Sequence, residues 1–286
     1  MTILYNDRFV DRENIQVDIE DRGYQFGDGI YEVIRVYGGN LFCLEPHLKR
    51  FARSAKEIGI DLPYTPERLG ERILELVKKN NLTDGTVYLQ VSRGSAPRSH
   101  PFPANSHPVT IGYTVSAPRP LEALQKGIKT ILTEDIRWLR CDIKSLNLLG
   151  AVLAKQKAVE AGCQEVIQHR DGMVTEGSAT NVFLVKDGTL FTHPADNLIL
   201  HGITRQVVLE LANELGIPVR EEAADVDDLF HADEVFVTGT TTEVSPVVAI
   251  DGKPVAKGVP GTITRKLQQA FEAYIGLPHQ SGTGLS

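Results

Sequence analysis

The sequence predicts an α+β protein of two domains. Its 286 residues are about two domains' worth of chain. Two-residue and helical hydrophobic periods alternate through the first third, and hairpin-rich sequence follows. Between these parts lies Ala117-Pro-Arg-Pro120, where two prolines within three residues resist both helix and sheet pairing. We therefore expect a small N-terminal domain over 1–116, a linker over 117–121 and a larger C-terminal domain over 122–286.

Ile30–Tyr37 alternates as a strand, with Tyr31, Val33 and Arg35 on one face and Glu32, Ile34 and Val36 on the other. Gly38-Gly-Asn40 turns the chain into Leu41–Leu44, completing a hairpin. Glu45-Pro46 opens a helix with the apolar stripe Leu48, Phe51, Ala55 and Ile58, ended by Gly59. A second helix is expected over Pro66–Asn80, with Leu69, Ile73, Leu76 and Val77 inward. Strands follow at Thr86–Arg93 and Val109–Val115. In the second part, Asp171-Gly172, Asp187-Gly188 and Asp251-Gly252 are hairpin turns between apolar runs. Helices are expected over Ser145–Ala161, Thr204–Leu215 and Pro260–Ile275. The small polar residues Gln280–Ser286 read as a frayed tail.

Hydrophobic residues are 42% and charged residues 23% of the chain, ordinary for a soluble globular protein. A net charge of −7 argues against binding nucleic acid or acidic membranes. The three cysteines, Cys43, Cys141 and Cys163, are odd in number and contain no CxxC pair, so neither a disulfide framework nor a metal site is expected. The first residues contain no apolar signal core, and the strongly apolar run Ser145–Ala154 is half a membrane span. The expectation is a cytoplasmic protein with reduced thiols.

Several residues could carry chemistry. Lys144 stands before a helix whose Leu146, Leu149 and Leu153 are expected to face a core, and partial desolvation makes an amine nucleophilic. A lysine at a helix start is otherwise ordinarily solvated. His47 and Arg50 share one helix face, expected opposite the apolar stripe, which suits phosphate recognition or simply a solvated basic surface. Gly202-Ile-Thr-Arg205 leads into a helix whose free amides attract anions. Thr238-Gly-Thr-Thr-Thr-Glu243 follows a strand and could form an anion nest, or only a loop. Arg98 and His100 lie two apart on a long loop, suited to a carboxylate or merely exposed. Glu176 is a carboxylate between two short strands, and Trp138 alone reads as core packing. Gly27-Asp-Gly29 lacks a third glycine and precedes a strand, so it is discounted as a phosphate loop.

Taken together, Glu20-Asp-Arg-Gly-Tyr-Gln-Phe-Gly-Asp-Gly29 and Ile136-Arg-Trp-Leu-Arg-Cys-Asp-Ile-Lys-Ser-Leu-Asn147 make the chain resemble the D-amino-acid aminotransferases, in the branched-chain-aminotransferase-like class of pyridoxal-phosphate enzymes (fold type IV). The likeness runs from about Tyr5 to about Tyr274. It implies a small and a larger α+β domain with pyridoxal 5'-phosphate between them. It also implies transfer of the amino group of D-alanine or D-glutamate to a 2-oxo acid through a Schiff base on Lys144. By the same resemblance, Glu176 pairs with the pyridine nitrogen and Leu200 packs behind the ring. Arg50, Ile203, Thr204, Gly239 and Thr240 hold the phosphate. Tyr31, Arg98 and His100 trap the substrate α-carboxylate, the last two across a homodimer interface. Relatives carry serine where this chain has Gly239, so one side-chain bond to phosphate is absent here. Within the class, the rivals are a branched-chain L-amino-acid aminotransferase and a 4-amino-4-deoxychorismate lyase. The Arg98-Ser-His100 loop matches the D-specific group. A binding protein that holds the cofactor without turnover is disfavoured by the intact set Lys144, Glu176 and Arg50.

Overall fold

The structure is a computed structural model that describes residues 1–105 and 107–276; the tail expected from Gln280 lies outside the described residues. Helices and strands are mixed, as α+β predicts. The chain groups into two units by internal contact. One comprises Met1–Arg119 with Leu139–Leu149, the other Pro120–Trp138 with the chain from Gly150 onward. The segment that carries Lys144 therefore counts with the first unit, whereas the sequence reading assigns it to the second.

The first unit contains β1 (Thr2–Tyr5), β2 (Arg8–Asp11), α1 (Arg22–Phe26), β3 (Gly29–Tyr37), β4 (Asn40–Leu41), α2 (Leu44–Glu57), α3 (Pro66–Lys79), β5 (Gly85–Ser92) and β6 (Val109–Ser116). Its strands form one antiparallel sheet in the order β2-β1-β6-β5-β3-β4. The alternation read in β3 is real: Ile30, Ile34 and Val36 are fully buried. They join Leu48, Phe51, Leu69, Ile73, Leu76, Val87 and Leu89 in one core between sheet and helices. Each fully buried aliphatic or aromatic side chain contributes roughly 2 kcal/mol. Thr65 caps α3 by accepting from the Arg68 amide, and Pro66 occupies the first turn. The expected second hairpin strand is shorter than Leu41–Leu44. Cys43 adopts a left-handed conformation (φ 49°), which turns the chain directly into α2 at Leu44.

The second unit contains α4 (Leu121–Lys126), β7 (Ile128–Glu134), α5 (Leu149–Glu160), β8 (Glu165–Arg170), β9 (Met173–Val174), β10 (Asn181–Lys186), β11 (Thr189–Thr192), α6 (Ile203–Glu214), β12 (Val219–Glu221), α7 (Val226–His231), β13 (Glu234–Gly239), β14 (Glu243–Ile250), β15 (Lys253–Pro254) and α8 (Thr262–Tyr274). Its sheet runs β12-β11-β10-β13-β14-β7-β8-β9, with β15 on β14. It is mixed: β14, β7 and β8 pair in parallel, as do β11 and β12. All three Asp-Gly turns have both residues at positive φ, 49° then 73–81°, the mirror-image turn whose twist matches a hairpin.

Helix α5 corrects the reading around Lys144. It begins at Leu149, not Ser145. Leu149 and Leu153 are 70% and 47% exposed, so they do not face a core. Its buried stripe is Ala151, Ala154 and Ala158, whose small side chains let the helix approach Val166 closely. Trp138, read as core packing, is 40% exposed. Among the described residues, no helix is long and apolar enough to cross a membrane.

Candidate active site

In the first unit, Lys144 is placed by strand-like pairing. The Tyr31 amide donates to the Lys144 carbonyl (3.0 Å), Ser145 bridges Ile30, and the Leu146 amide donates to Gly29 O (3.0 Å). The Lys144 amide donates to Ser54 Oγ on α2 (3.2 Å). Gly29 is required by this closeness, since a Cβ there would strike the Val91 carbonyl and Leu146. The result sets Lys144 Nζ 4.3 Å from the centre of the Tyr31 ring. Lys144 and Tyr31, more than 100 residues apart in sequence, are thus neighbours.

Tyr31 stacks on Tyr88 of the adjacent strand (5.8 Å between ring centres), and Tyr88 stacks on Tyr113. On the opposite face of β3, Glu32 is wholly buried among Ile30, Ile34 and Val36. It is met from α2 by Arg50, whose Nε and Nη2 donate to Oε1 and Oε2 (2.6 and 2.8 Å), and by His47 Nδ1 at 2.8 Å. His47 and Arg50 are therefore not a solvated basic face: both are buried beside the apolar stripe. Burial pushes the Glu32 carboxyl up, but the Arg50 charge and bonds overrule it and hold the group well below the usual carboxylate range. Burial lowers His47, with Glu32 opposing. Glu32 shares the apolar face of an alternating strand in the sequence but is not among the site residues expected there, although a carboxylate in that place is itself a signal.

Arg98 and His100 stand on an exposed loop of the same unit. Their ring contacts are with Phe26 of α1, at 5.0 and 5.7 Å, rather than with Tyr31 or Lys144. Buried Arg22 anchors that loop, its Nη1 and Nη2 donating to the Ser99 and His100 carbonyls (2.5 and 3.2 Å) while Nε donates to Asp28 Oδ2 (2.7 Å).

In the second unit, Glu176 is buried and its carboxylate accepts three hydrogen bonds. Oε1 accepts from Arg137 Nη1 (2.5 Å), and Oε2 from Asn181 Nδ2 (2.9 Å) and the Leu200 amide (3.0 Å). It is not an ordinary turn residue. Burial raises its carboxyl above the usual range; Arg137 and the Leu200 amide pull it back, and Asp135 adds to the rise. Asn181 Nδ2 also donates to the Leu200 carbonyl (2.9 Å), and Asn181 pairs with Thr238 across β10 and β13. Gly202, capping α6, lies so close that a Cβ there would overlap Asn181 Oδ1. The start of α6 and the end of β13 thus converge beside Glu176. The amides of Ile203 and Thr204 have no acceptor within their own helix. Gly239 and Thr240 form the tight turn into β14, where the Thr242 amide donates to Gly239 O (3.2 Å). The Thr238 hydroxyl beneath is buried without a hydrogen-bond partner. A helix start, a turn of small residues and an unspent hydroxyl together fit a phosphate group. Arg137 and Asn181 were not singled out in the sequence.

A model of the family described as amino-transferase class IV matches residues 29–250. A D-alanine aminotransferase of Staphylococcus epidermidis is 53% identical over 96% of this chain and 97% of its own. Among solved structures, the branched-chain amino acid aminotransferase of Escherichia coli superposes with a TM-score of 0.92 at 31% identity, covering 98% of this chain and 97% of that one. The branched-chain enzyme of Thermobaculum terrenum, solved in its PLP form, gives 0.86 at 27%, over 96% and 94%. With the family model spanning most of both units and the fold shared throughout, the chain belongs to the class IV aminotransferases, of fold type IV.

Proposed function

We propose that this chain transfers the amino group of a D-amino acid, D-alanine or D-glutamate, to a 2-oxo acid, using pyridoxal 5'-phosphate, as a cytoplasmic homodimer. The observation that carries the reading is the near-full-length likeness, at 53% identity, to a D-alanine aminotransferase. The branched-chain enzymes share the fold at 27–33% identity. The dimer is supported by Arg98 and His100, which face Phe26 and solvent within their own chain, as residues destined for a partner's substrate would.

When bound, pyridoxal phosphate supplies an electron sink for the charge left as the α-proton departs. The amine of Lys144 would hold the cofactor covalently and, when free, take and return that proton. Tyr31, whose ring centre lies 4.3 Å from that amine, would help to orient it. Glu176 would keep a proton on the pyridine nitrogen, and Leu200 would pack against the ring. Arg50, the Ile203 and Thr204 amides, and the Gly239–Thr240 turn would take the phosphate. Tyr31, Arg98 and His100 would hold the substrate carboxylate, and the side on which it is held sets D against L preference. These are binding and orienting roles; only Lys144 moves the proton at carbon.

The decisive test is a substrate panel of D- and L-alanine, D- and L-glutamate, L-leucine and L-valine, each with pyruvate or 2-oxoglutarate. Turnover of D-alanine or D-glutamate with rejection of their enantiomers is expected. Faster turnover of L-leucine or L-valine would replace this reading with a branched-chain one. Borohydride reduction should fix the cofactor to the peptide containing Lys144, and Lys144→Ala should abolish transamination. Sedimentation at two protein concentrations checks the dimer.

A further inference from the structure

The charges around Glu176 are linked to one another. Arg137 grips Asp135 with a two-pronged fork, Nε to Oδ1 at 2.9 Å and Nη2 to Oδ2 at 2.7 Å. Its third nitrogen, Nη1, reaches Glu176. Asp135 is fixed in turn by the Arg137 amide (3.1 Å), Thr175 Oγ1 (3.0 Å) and Arg170 Nε (3.2 Å). Arg170 also donates to the carbonyls of Arg137 and Trp138 (2.9 and 3.1 Å). Two carboxylates and two guanidiniums sum to zero. The other partners of Glu176, Asn181 on β10 and the Leu200 amide ahead of α6, are neutral.

All three partners of Glu176 are donors, and each therefore favours the ionised carboxylate. Protonating Glu176 would weaken all three, since a neutral carboxyl is a poorer acceptor than a carboxylate. Arg137 is the only charged donor of the three, and a charge-assisted bond is about twice as strong as a neutral one. Its orientation is already fixed by Asp135, so reaching Glu176 costs it no further freedom. A proton shared between a buried carboxylate and a pyridine nitrogen rests on whichever binds it more tightly.

We propose that Arg137 is the positioning residue that keeps Glu176 ionised, so that the proton rests on the cofactor's ring nitrogen rather than on the carboxyl. The proposal rests on the reading of Glu176 as the nitrogen's partner. It extends the site to a guanidinium that never touches substrate, with Asp135 as its holder. Burial raises the Glu176 carboxyl and Arg137 opposes the rise, which has the sign the proposal needs.

The test reconstitutes the full-length holoenzyme with pyridoxal phosphate labelled with nitrogen-15 in the ring and follows the ring nitrogen by NMR between pH 6 and 9. Wild type should show a pyridinium signal throughout. Arg137→Gln should move the signal toward neutral pyridine, and Arg137→Lys, which keeps the charge but loses the fork, should fall between. kcat should drop about tenfold or more in Arg137→Gln, with KM changed much less, because the lost interaction acts as charge develops. Should Arg137→Gln fail to fold, Arg137→Lys reports a displacement in the same direction. A pyridinium signal unchanged in the folded variants overturns the role of Arg137 while leaving that of Glu176 intact. A neutral nitrogen already in wild type, or a nitrogen indifferent to Glu176→Gln, overturns the reading of Glu176 and this proposal with it.

Discussion

A methyl group on residue 202 has nowhere to go: a Cβ there would overlap Asn181 Oδ1, and Asn181 holds both Glu176 and the Leu200 carbonyl. Gly202→Ala should destabilise the protein by about 1–3 kcal/mol, the usual cost of overpacking. It should also weaken pyridoxal phosphate binding; urea denaturation and cofactor dialysis read the two effects. Gly239→Ser meets a milder obstacle. Its Cβ would sit 3.2 Å from the Ala179 carbonyl, tight enough to offset the ~1 kcal/mol that a new hydrogen bond to phosphate would add. Cofactor affinity is expected to change by less than about 1 kcal/mol, and a large gain on dialysis would contradict this. Glu176 and Arg50 lie outside both long family motifs and come only with the resemblance as a whole; Lys144 falls within one of them. Arg137 lies in the same motif, yet its partner Glu176 is far along the chain, and a contact at that separation leaves no local pattern. Asp135 and Arg137 are two apart, the spacing that puts side chains on one side of an extended segment, and that is the only trace of their fork.

Among elements, β3 and α2 show what a strand can hide. Glu32 occupies an apolar position because His47 and Arg50 come to meet it. Glu32→Ala would leave Arg50 buried without its counter-charge and should cost about 3–5 kcal/mol, read by urea denaturation. Glu32→Gln should cost less, since an amide oxygen still accepts. The alternation of β3 and the helical stripe of α2 were plain in the sequence; the inward turn of His47 and Arg50 was not, because charged residues beside an apolar stripe ordinarily point to water. Helix α5 failed for another reason. Leu146, Leu149 and Leu153 are spaced as a helix face, but so are Ala151, Ala154 and Ala158. Only the partner, Val166 on β8, chooses between the stripes, and it selects the small one. The Asp-Gly hairpins needed no partner, since their positive φ angles are a property of the turn itself.

The whole molecule should be acid-sensitive. Glu32, Asp135 and Asp142 all have folded-state carboxyls held below their ordinary values. Burial pushes Asp135 up, but bonds and charge from Arg137 bring it to about 2. For depressed acids, the stabilisation is complete above the unfolded values near 4 and is lost as pH falls through the folded ones. His47, lowered mainly by burial, adds a loss of the same sign as pH drops below its ordinary value. Glu176, raised, has the opposite sign, one group against four. Melting temperature should therefore stay nearly level from pH 8 to about pH 6.5, decline gently below it, and fall steeply between about pH 4 and 2. A profile that kept rising as pH fell below 4 would contradict these assignments. At this scale the sequence marked the proline-rich boundary before α4, but it gave no hint that Leu139–Leu149 groups with the strands of the first unit. That grouping depends on Ser145 meeting Ile30, a pairing across more than 100 residues.

The return of Leu139–Leu149 to the first unit also bears on how the chain can be divided. The polypeptide changes unit three times, after Arg119, after Trp138 and after Leu149. No single cut yields both units whole. A fragment ending at Arg119 would expose the Tyr31 amide and the Gly29 carbonyl that Lys144 and Leu146 occupy, and it would lose the bond between Ser54 and the Lys144 amide. Such a fragment should not fold independently, whereas a chain nicked at 117–120 should keep both pieces together under native conditions and part only in denaturant. The lysine on which the proposed chemistry depends therefore belongs to a threaded segment, and separating the two units by truncation would remove that residue from its own surroundings.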